Sequence, residues 1–302
     1  MKIFLTPNDS ITKCLDQYPI NQHLELFLSP GTYHEKLRIK HHNLHIYGSM
    51  EGKSIISNCD YAYKMHDDGL LYNTFRTYTM MILGDDVKLS NLWIENTCGS
   101  GFTIGQGVAL SLLGKRTKLV NCTLLGHQDT LFIGPLPRDL NERYDHFLPL
   151  EERTDHITHH HFKSCVIEGD VDFIFGSGVA LFESCEIKAT SKGYIAAPST
   201  YSDFPYGFIF YKSHIISETN ESVYLARPWR EHGATTFIDC VFLGNFNENR
   251  YDAWDKLSYR FKETPYIYSS LSSELNTEER EQLFSYLSAG FGLLPENDQK
   301  LK

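Results

Sequence analysis

The sequence predicts an all-β protein: a single-stranded right-handed parallel β-helix, or solenoid, with short helices at its ends. Three observations lead there. First, a six-residue pattern (apolar, any, Asn/Ser/Asp, usually Cys, any, apolar) recurs between Leu89 and Phe242. Its fourth positions are Leu92, Cys122, Cys165, Cys185, His214 and Cys240, spaced 30, 43, 20, 29 and 26 residues apart. Variable spacing above a floor near one coil's length suits coils that share a short strand and differ in their loops. Second, short β-rich runs alternate with turn residues between residues 24 and 245, and Gly48, Gly169 and Gly244 close strands. Third, the hydrophobic content of 41% is globular, and no run approaches the roughly 18 apolar residues of a membrane helix.

The elements follow in order. Asp9–Leu15 reads as a short helix capping the first coil, and residues 24–245 form the coils. In each repeat a polar residue turns the chain, so positions four and six both point inward. Cysteine at position four then packs as a small hydrophobe on its equivalent in the next coil. Residues 135–161 are polar, carry Pro135, Pro137 and Pro149, and read as a long inserted loop on one face. Residues 276–289 read as a helix: Asn276 and Glu279 make a capping box, Leu283, Phe284 and Leu287 an apolar stripe, and Gly290 a stop. The whole chain, 1–302, reads as one domain.

Charge and cysteines exclude several classes. Lys and Arg number 28 against 38 Asp and Glu, a net charge of −10, which disfavours nucleic acid and anionic membranes as partners. Seven cysteines without CxxC spacing indicate neither a disulfide framework nor a zinc ribbon. The run His159-His160-His161 is expected in a solvated loop, because adjacent residues of a strand cannot all face one metal. Apolar character at the N-terminus stops after five residues, too few for a signal-peptide core, so a cytoplasmic location is expected. Oligomeric state is not encoded legibly.

Three segments carry chemistry: Gly126-His127-Gln128-Asp129-Thr130-Leu131, Val171-Asp172-Phe173-Ile174-Phe175-Gly176 and Leu225-Ala226-Arg227-Pro228-Trp229. Together they supply two carboxylates in apolar settings, a carboxamide beside one, and a guanidinium next to an indole. Two such carboxylates can divide acyl transfer between attack and proton movement if their surroundings push their pKa values apart. The chain therefore reads as a hydrolase. The bland alternatives are turn-forming aspartates, stacked core amides for Gln106 and Gln128, and plain core aromatics.

With Gly31-Thr32-Tyr33-His34-Glu35 and Gly105-Gln106-Gly107-Val108-Ala109-Leu110, these motifs, in this order, resemble the pectin methylesterases, or pectinesterases. The resemblance implies hydrolysis of the methyl ester on galacturonate units of pectin or its oligosaccharides, releasing methanol through a covalent Asp intermediate, with no metal or cofactor. By matched position Asp172 is the expected nucleophile and Asp129 the general acid, then base. Gln106 and Gln128 are expected to bind the oxyanion, Arg227 to hold the nucleophile, and Trp229, Phe175 and Phe132 to line the sugar groove. Tyr33 and Glu35 are expected to be structural, and Trp254 resembles the family's second tryptophan. Departures from the pattern are Ser111, His127, Ala226 and the 135–161 insertion, which puts substrate length in question. The acidic charge suits a neutral, methylated substrate, and short oligosaccharides more than wall polymer. Rival readings are a β-helix glycan hydrolase such as a polygalacturonase, an esterase of this fold with another acyl substrate, and a non-catalytic glycan-binding module.

Overall fold

In the computed structural model, residues 1–265 and 269–291 are described. Three parallel sheets form the faces of a solenoid. Among the described residues the first has eleven strands, from Lys2–Leu5 to Ser273–Glu274. The second has eight, bounded by Gly31–His34 and Val241–Leu243. The third has seven, bounded by Leu37–Ile39 and Val223–Ala226. Each coil visits the sheets in that order: Arg116–Val120, Thr123–Leu125 and Leu131–Ile133 make one, and His159–Lys163, Val166–Gly169 and Ile174–Gly176 the next. The strands thus extend past both ends of the expected 24–245 range.

The six-residue pattern is the turn from the first sheet to the second. Asn91, Asn121, Ser164, Ser184, Lys212 and Asp239 all hold left-handed backbone, with φ between 48° and 56°. Asn and Asp reach that region at little cost, so their recurrence has a backbone cause. One coil needs correction. Phe210 pairs with Phe182 and His214 with Glu186, so the pattern there begins at Phe210, and Ser213, not His214, stands in the cysteine row. Ser213 earns the place by hydrogen bonding: its hydroxyl donates to Phe182 O at 2.9 Å and accepts from Cys185 N at 3.0 Å. Inside, the rings of Phe162, Phe182, Phe210 and Phe237 stack at 4.7, 4.7 and 4.6 Å.

The first helix, α1 (Ile11–Leu15), lies over the first coil. Glu35 accepts from Ile11 N at 2.7 Å and Thr12 N at 3.1 Å, while the Tyr33 hydroxyl donates to Leu5 O at 2.9 Å. Both residues are structural. The next, α2 (Gly101–Ile104), is a single turn beside the third sheet. The insertion is folded, not a bare loop: it contains α3 (Arg138–Arg143) and a 3-10 turn at Leu150–Glu152. The last helix, α4 (Thr277–Phe291), closes one face. Its capping box is present, with Glu279 N donating to Asn276 Oδ1 at 3.0 Å and Asn276 N to Glu279 Oε2 at 3.2 Å. Leu283 and Leu287 pack on Val179, Leu181 and Ile209.

Two sequence expectations fail here. His159–His161 belong to the strand His159–Lys163. Alternation turns His160 inward, between Thr117 and Ala180, where it is fully buried. Its neighbours face outward, His159 hydrogen-bonded to the Tyr286 hydroxyl and His161 to Glu183, both at 2.8 Å. Cys59 and Cys98 form a disulfide, which the odd cysteine count concealed. The strands Ser54–Asn58 and Leu92–Asn96 run side by side, pairing Asn58 with Asn96, so coil stacking brings these cysteines together just past the strand ends. Cys122, Cys165 and Cys185 are buried packing residues as expected.

Candidate active site

The two aspartates meet because of register. Leu131 pairs with Ile174 on adjacent strands of the third sheet, and Asp129 and Asp172 each sit two residues earlier, one rung apart. Rungs of a parallel sheet are about 4.8 Å apart. The chain is stapled there: Asp129 N donates to Val171 O at 3.1 Å, Leu131 N to Phe173 O at 2.8 Å, and Asp172 N to Tyr194 O at 2.7 Å. Both aspartates have left-handed backbone, φ 66° and 50°. Asp reaches that region at little cost, so both aspartates turn the chain into the third sheet as the other turn residues do.

Arg227 arrives from two coils further on, held by its N–H to Ala196 O at 3.0 Å. Its Nε and Nη2 donate to the two carboxylate oxygens of Asp172 at 2.9 and 2.6 Å. The guanidinium lies 3.9 Å from the ring of Tyr194 and 3.9 Å from that of Trp254, an arrangement a planar cation favours. Asp252 links the two residues, accepting from the Tyr194 hydroxyl at 2.9 Å and from the main-chain N–H of Trp254 at 2.8 Å. Sequence reasoning missed Tyr194 and Asp252. Neither lies in a recognisable motif, and only coil stacking reveals them.

The carboxylates differ in environment. Burial pushes Asp129 well above the usual carboxylate range, and the charge of Asp172 pushes it further. Burial raises Asp172 too, but the hydrogen bonds and charge of Arg227 oppose the rise. Of the two, Asp172 ionises first. Among the described residues no protein group hydrogen-bonds the Asp129 carboxyl, which faces a cleft of about 310 Å³.

Gln106 and Gln128 line the same cleft. Gly107 N donates to Gln128 O at 3.1 Å, so the two glutamines sit on neighbouring coils. Among the described residues neither carboxamide is committed to a hydrogen bond, which removes the stacked-amide alternative. Gly101 of α2 lies so close that a Cβ there would come within 2.5 Å of the Gln128 side chain. A glycine is required for α2 to pack on Gln128.

Phe175 and Trp229 form one wall, their rings edge-to-face at 5.8 Å. Thr74, Phe75 and Tyr144, unforeseen from the sequence, form another, and Tyr144 comes from the insertion. Phe132 needs correction: it is 1% exposed and packs against Phe75 and Phe175 from beneath, with ring centroids at 5.1 and 5.0 Å. The insertion roofs it, so it supports the wall without touching the cleft. His127 beside Gln128 pairs with Asp170 at 3.3 Å. The arrangement can thus present an ionised, clamped carboxylate, a protonated one beside it, and uncommitted amide donors to one ligand atom.

The profile of the pectinesterase family matches residues 6–136 and 154–270, leaving 137–153 unmatched. Pectinesterase A of Dickeya dadantii is 28% identical over 91% of this chain and 77% of its own. Among solved structures, the pectin methylesterase PemA from Erwinia chrysanthemi superposes with a TM-score of 0.74 at 22% identity, covering 98% of both chains. A pectin methylesterase in complex with a hexasaccharide gives the same TM-score at 22% identity, covering 96% of this chain and 94% of that one.

Proposed function

The chain belongs to the pectinesterase family of carboxylic ester hydrolases, and on that premise we propose that it removes methyl groups from methyl-esterified galacturonate units of pectin or its oligosaccharides. The observation that carries the reading is the pairing of an arginine-clamped Asp172 with an Asp129 that burial holds protonated. The hexasaccharide held by a relative of the same fold supports an oligosaccharide ligand.

The mechanism follows from those two states. An Asp172 oxygen attacks the ester carbonyl carbon, and the carbonyl π pair moves onto oxygen. Gln106 and Gln128 supply neutral N–H donors to that oxyanion, each worth on the order of 3 kcal/mol at the transition state. Neutral donors suit the position because a cation there would compete for the nucleophile's charge. The tetrahedral intermediate then collapses. The bond to the methoxy oxygen breaks as Asp129 delivers its proton, so methanol leaves, not methoxide. An Asp172–galacturonyl anhydride remains. Water attacks it while giving a proton to the now ionised Asp129, and expulsion of the Asp172 carboxylate frees the acid. Trp229 offers its ring to a pyranose, and the buried Phe175 backs it edge-to-face at the cleft wall. The net charge of −10 suits a neutral methyl ester and repels the carboxylate product.

A glycan hydrolase would need its acid and base about 6.5–9.5 Å apart to invert, with water between them. The two readings differ in their products. The test is methanol release from highly methylated oligogalacturonides alongside a reducing-end assay. Methanol without new reducing ends is expected, and Asp172→Ala and Asp129→Ala should each lose several orders of magnitude while still folding. New reducing ends, or full activity in either variant, would overturn the reading.

A further inference from the structure

We propose that the insertion is the blind end of the substrate groove, restricting the enzyme to the ends of methylated galacturonan chains and to short oligomers. The inference rests on the esterase reading above and adds the substrate class.

The outward row of the third sheet sets the direction of the groove. Met81, Ser111, Phe132, Phe175 and Ala197 are register partners on successive strands, so they form a line along the solenoid axis. Phe175 and Ala197 lie on the cleft. One rung away the row leaves the cleft: Phe175 and Ala197 keep 3% and 2% exposure and line it, while Phe132 and Met81, at 1%, pack with Leu136, Leu140 and Leu148 of the insertion and do not. A furrow that regular coils would leave open is therefore filled immediately beside the catalytic pair.

Tyr144 stands at the boundary. Its ring packs on Phe75 at 5.8 Å and Phe147 at 4.9 Å, and it also lines the cleft. Among the described residues its hydroxyl has no hydrogen-bond partner, leaving it for a sugar hydroxyl. The cleft's volume of about 310 Å³ is at the small end of the roughly 300–1,000 Å³ of ligand pockets.

The wall is anchored on several sides. Arg230, next to Trp229, donates to both oxygens of Asp139 at 2.9 and 2.8 Å. Arg38 donates to buried Glu152 at 2.9 and 2.8 Å, and Arg76 to Phe147 O at 2.9 Å. Exposed pairs contribute little singly, but these tie the insertion to three separate coils over an apolar base. It is a fixed wall, and the family profile skips its middle, residues 137–153.

The test uses a fully methylated hexagalacturonate, with the first ester lost located by tandem mass spectrometry, and methanol kinetics on tetramer and polymer. One position, at a fixed distance from one chain end, is expected to lose its methyl first. The kcat/KM per ester should be higher on tetramer than on polymer. Tyr144→Ala should raise KM for tetramer about tenfold with kcat changed less than about twofold. Removing the insertion would expose Phe132 and risk misfolding, so Arg230→Ala serves as the second variant and should blur the positional selectivity. Methyl loss spread over interior residues, or polymer turned over as well as tetramer, would overturn the blind end alone. No methanol from any of these substrates would overturn the esterase reading itself.

Discussion

Arg227 grips both carboxylate oxygens of Asp172, at 2.9 and 2.6 Å, from a coil two turns away, while Tyr194 and Trp254 cover the faces of its guanidinium. The grip keeps Asp172 aimed and favours its ionised form in a place where burial alone would neutralise it. Arg227→Ala would leave that carboxylate buried without its cation. The expected cost is about 3–5 kcal/mol of stability, read by urea unfolding, and at least about a hundredfold in kcat. Arg227→Lys should recover much of the stability and little of the rate, because a point charge cannot make the two-pronged contact.

Asp129 gives a pH signature. Its folded pKa lies well above 3.8, so folding favours the protonated form. The sign is fixed: the contribution is full below 3.8 and is lost as pH rises toward the folded value. Asp129→Asn should therefore be more stable than the parent at pH 7 and equal to it near pH 3, measured as unfolding midpoints, while releasing no methanol. Equal midpoints at both values would contradict the raised pKa.

His160 predicts the opposite slope. Burial lowers its pKa from 6.5 to about 3, so the folded state keeps it neutral while the unfolded state takes a proton. Stability is full above 6.5 and falls as pH drops toward 3. Among the described residues both ring nitrogens lack a protein partner, and an apolar replacement removes that desolvation cost. His160→Leu should flatten the acid limb between pH 6.5 and 3 and raise the unfolding midpoint at pH 7.

The Cys59–Cys98 disulfide closes a loop with a sequence separation of 39. Such a closure is worth up to about 4 kcal/mol by chain entropy. It also ties the start of the Thr74 and Phe75 loop to the α2 segment that leads to Gln106. Cys59→Ser with Cys98→Ser should lower the unfolding midpoint and raise KM. A reducing cytoplasm would keep this pair as thiols, so the cytoplasmic expectation and the bridge diverge. Intact mass of the protein from its own cells after thiol alkylation decides between them.

Much of the site was legible because its residues sit in short motifs whose chemistry is local. Asp129, Asp172, Gln106, Gln128, Arg227, Trp229 and Phe175 all reach one cleft. Phe132 did not, although its own segment gave no sign of difference from Phe175. They occupy the same row and both are buried, at 1% and 3% exposure, and only the way the following insertion folds back decides that Phe175 alone reaches the cleft. Tyr144 was hidden for the same reason in reverse, and Tyr194 and Asp252 because they act through neighbours contributed by other coils.

By itself the sequence determined the winding of the chain and the chemical groups it carries, since inward periodicity, turn residues and motif composition act within a few positions. The tertiary structure decided which groups meet. Coils differ in length, so contacts between them depend on register: it put Ser213 in the cysteine row, His160 in the core, Cys59 beside Cys98, and Asp129 one rung from Asp172. Packing of one long excursion onto the third sheet then set where the groove ends.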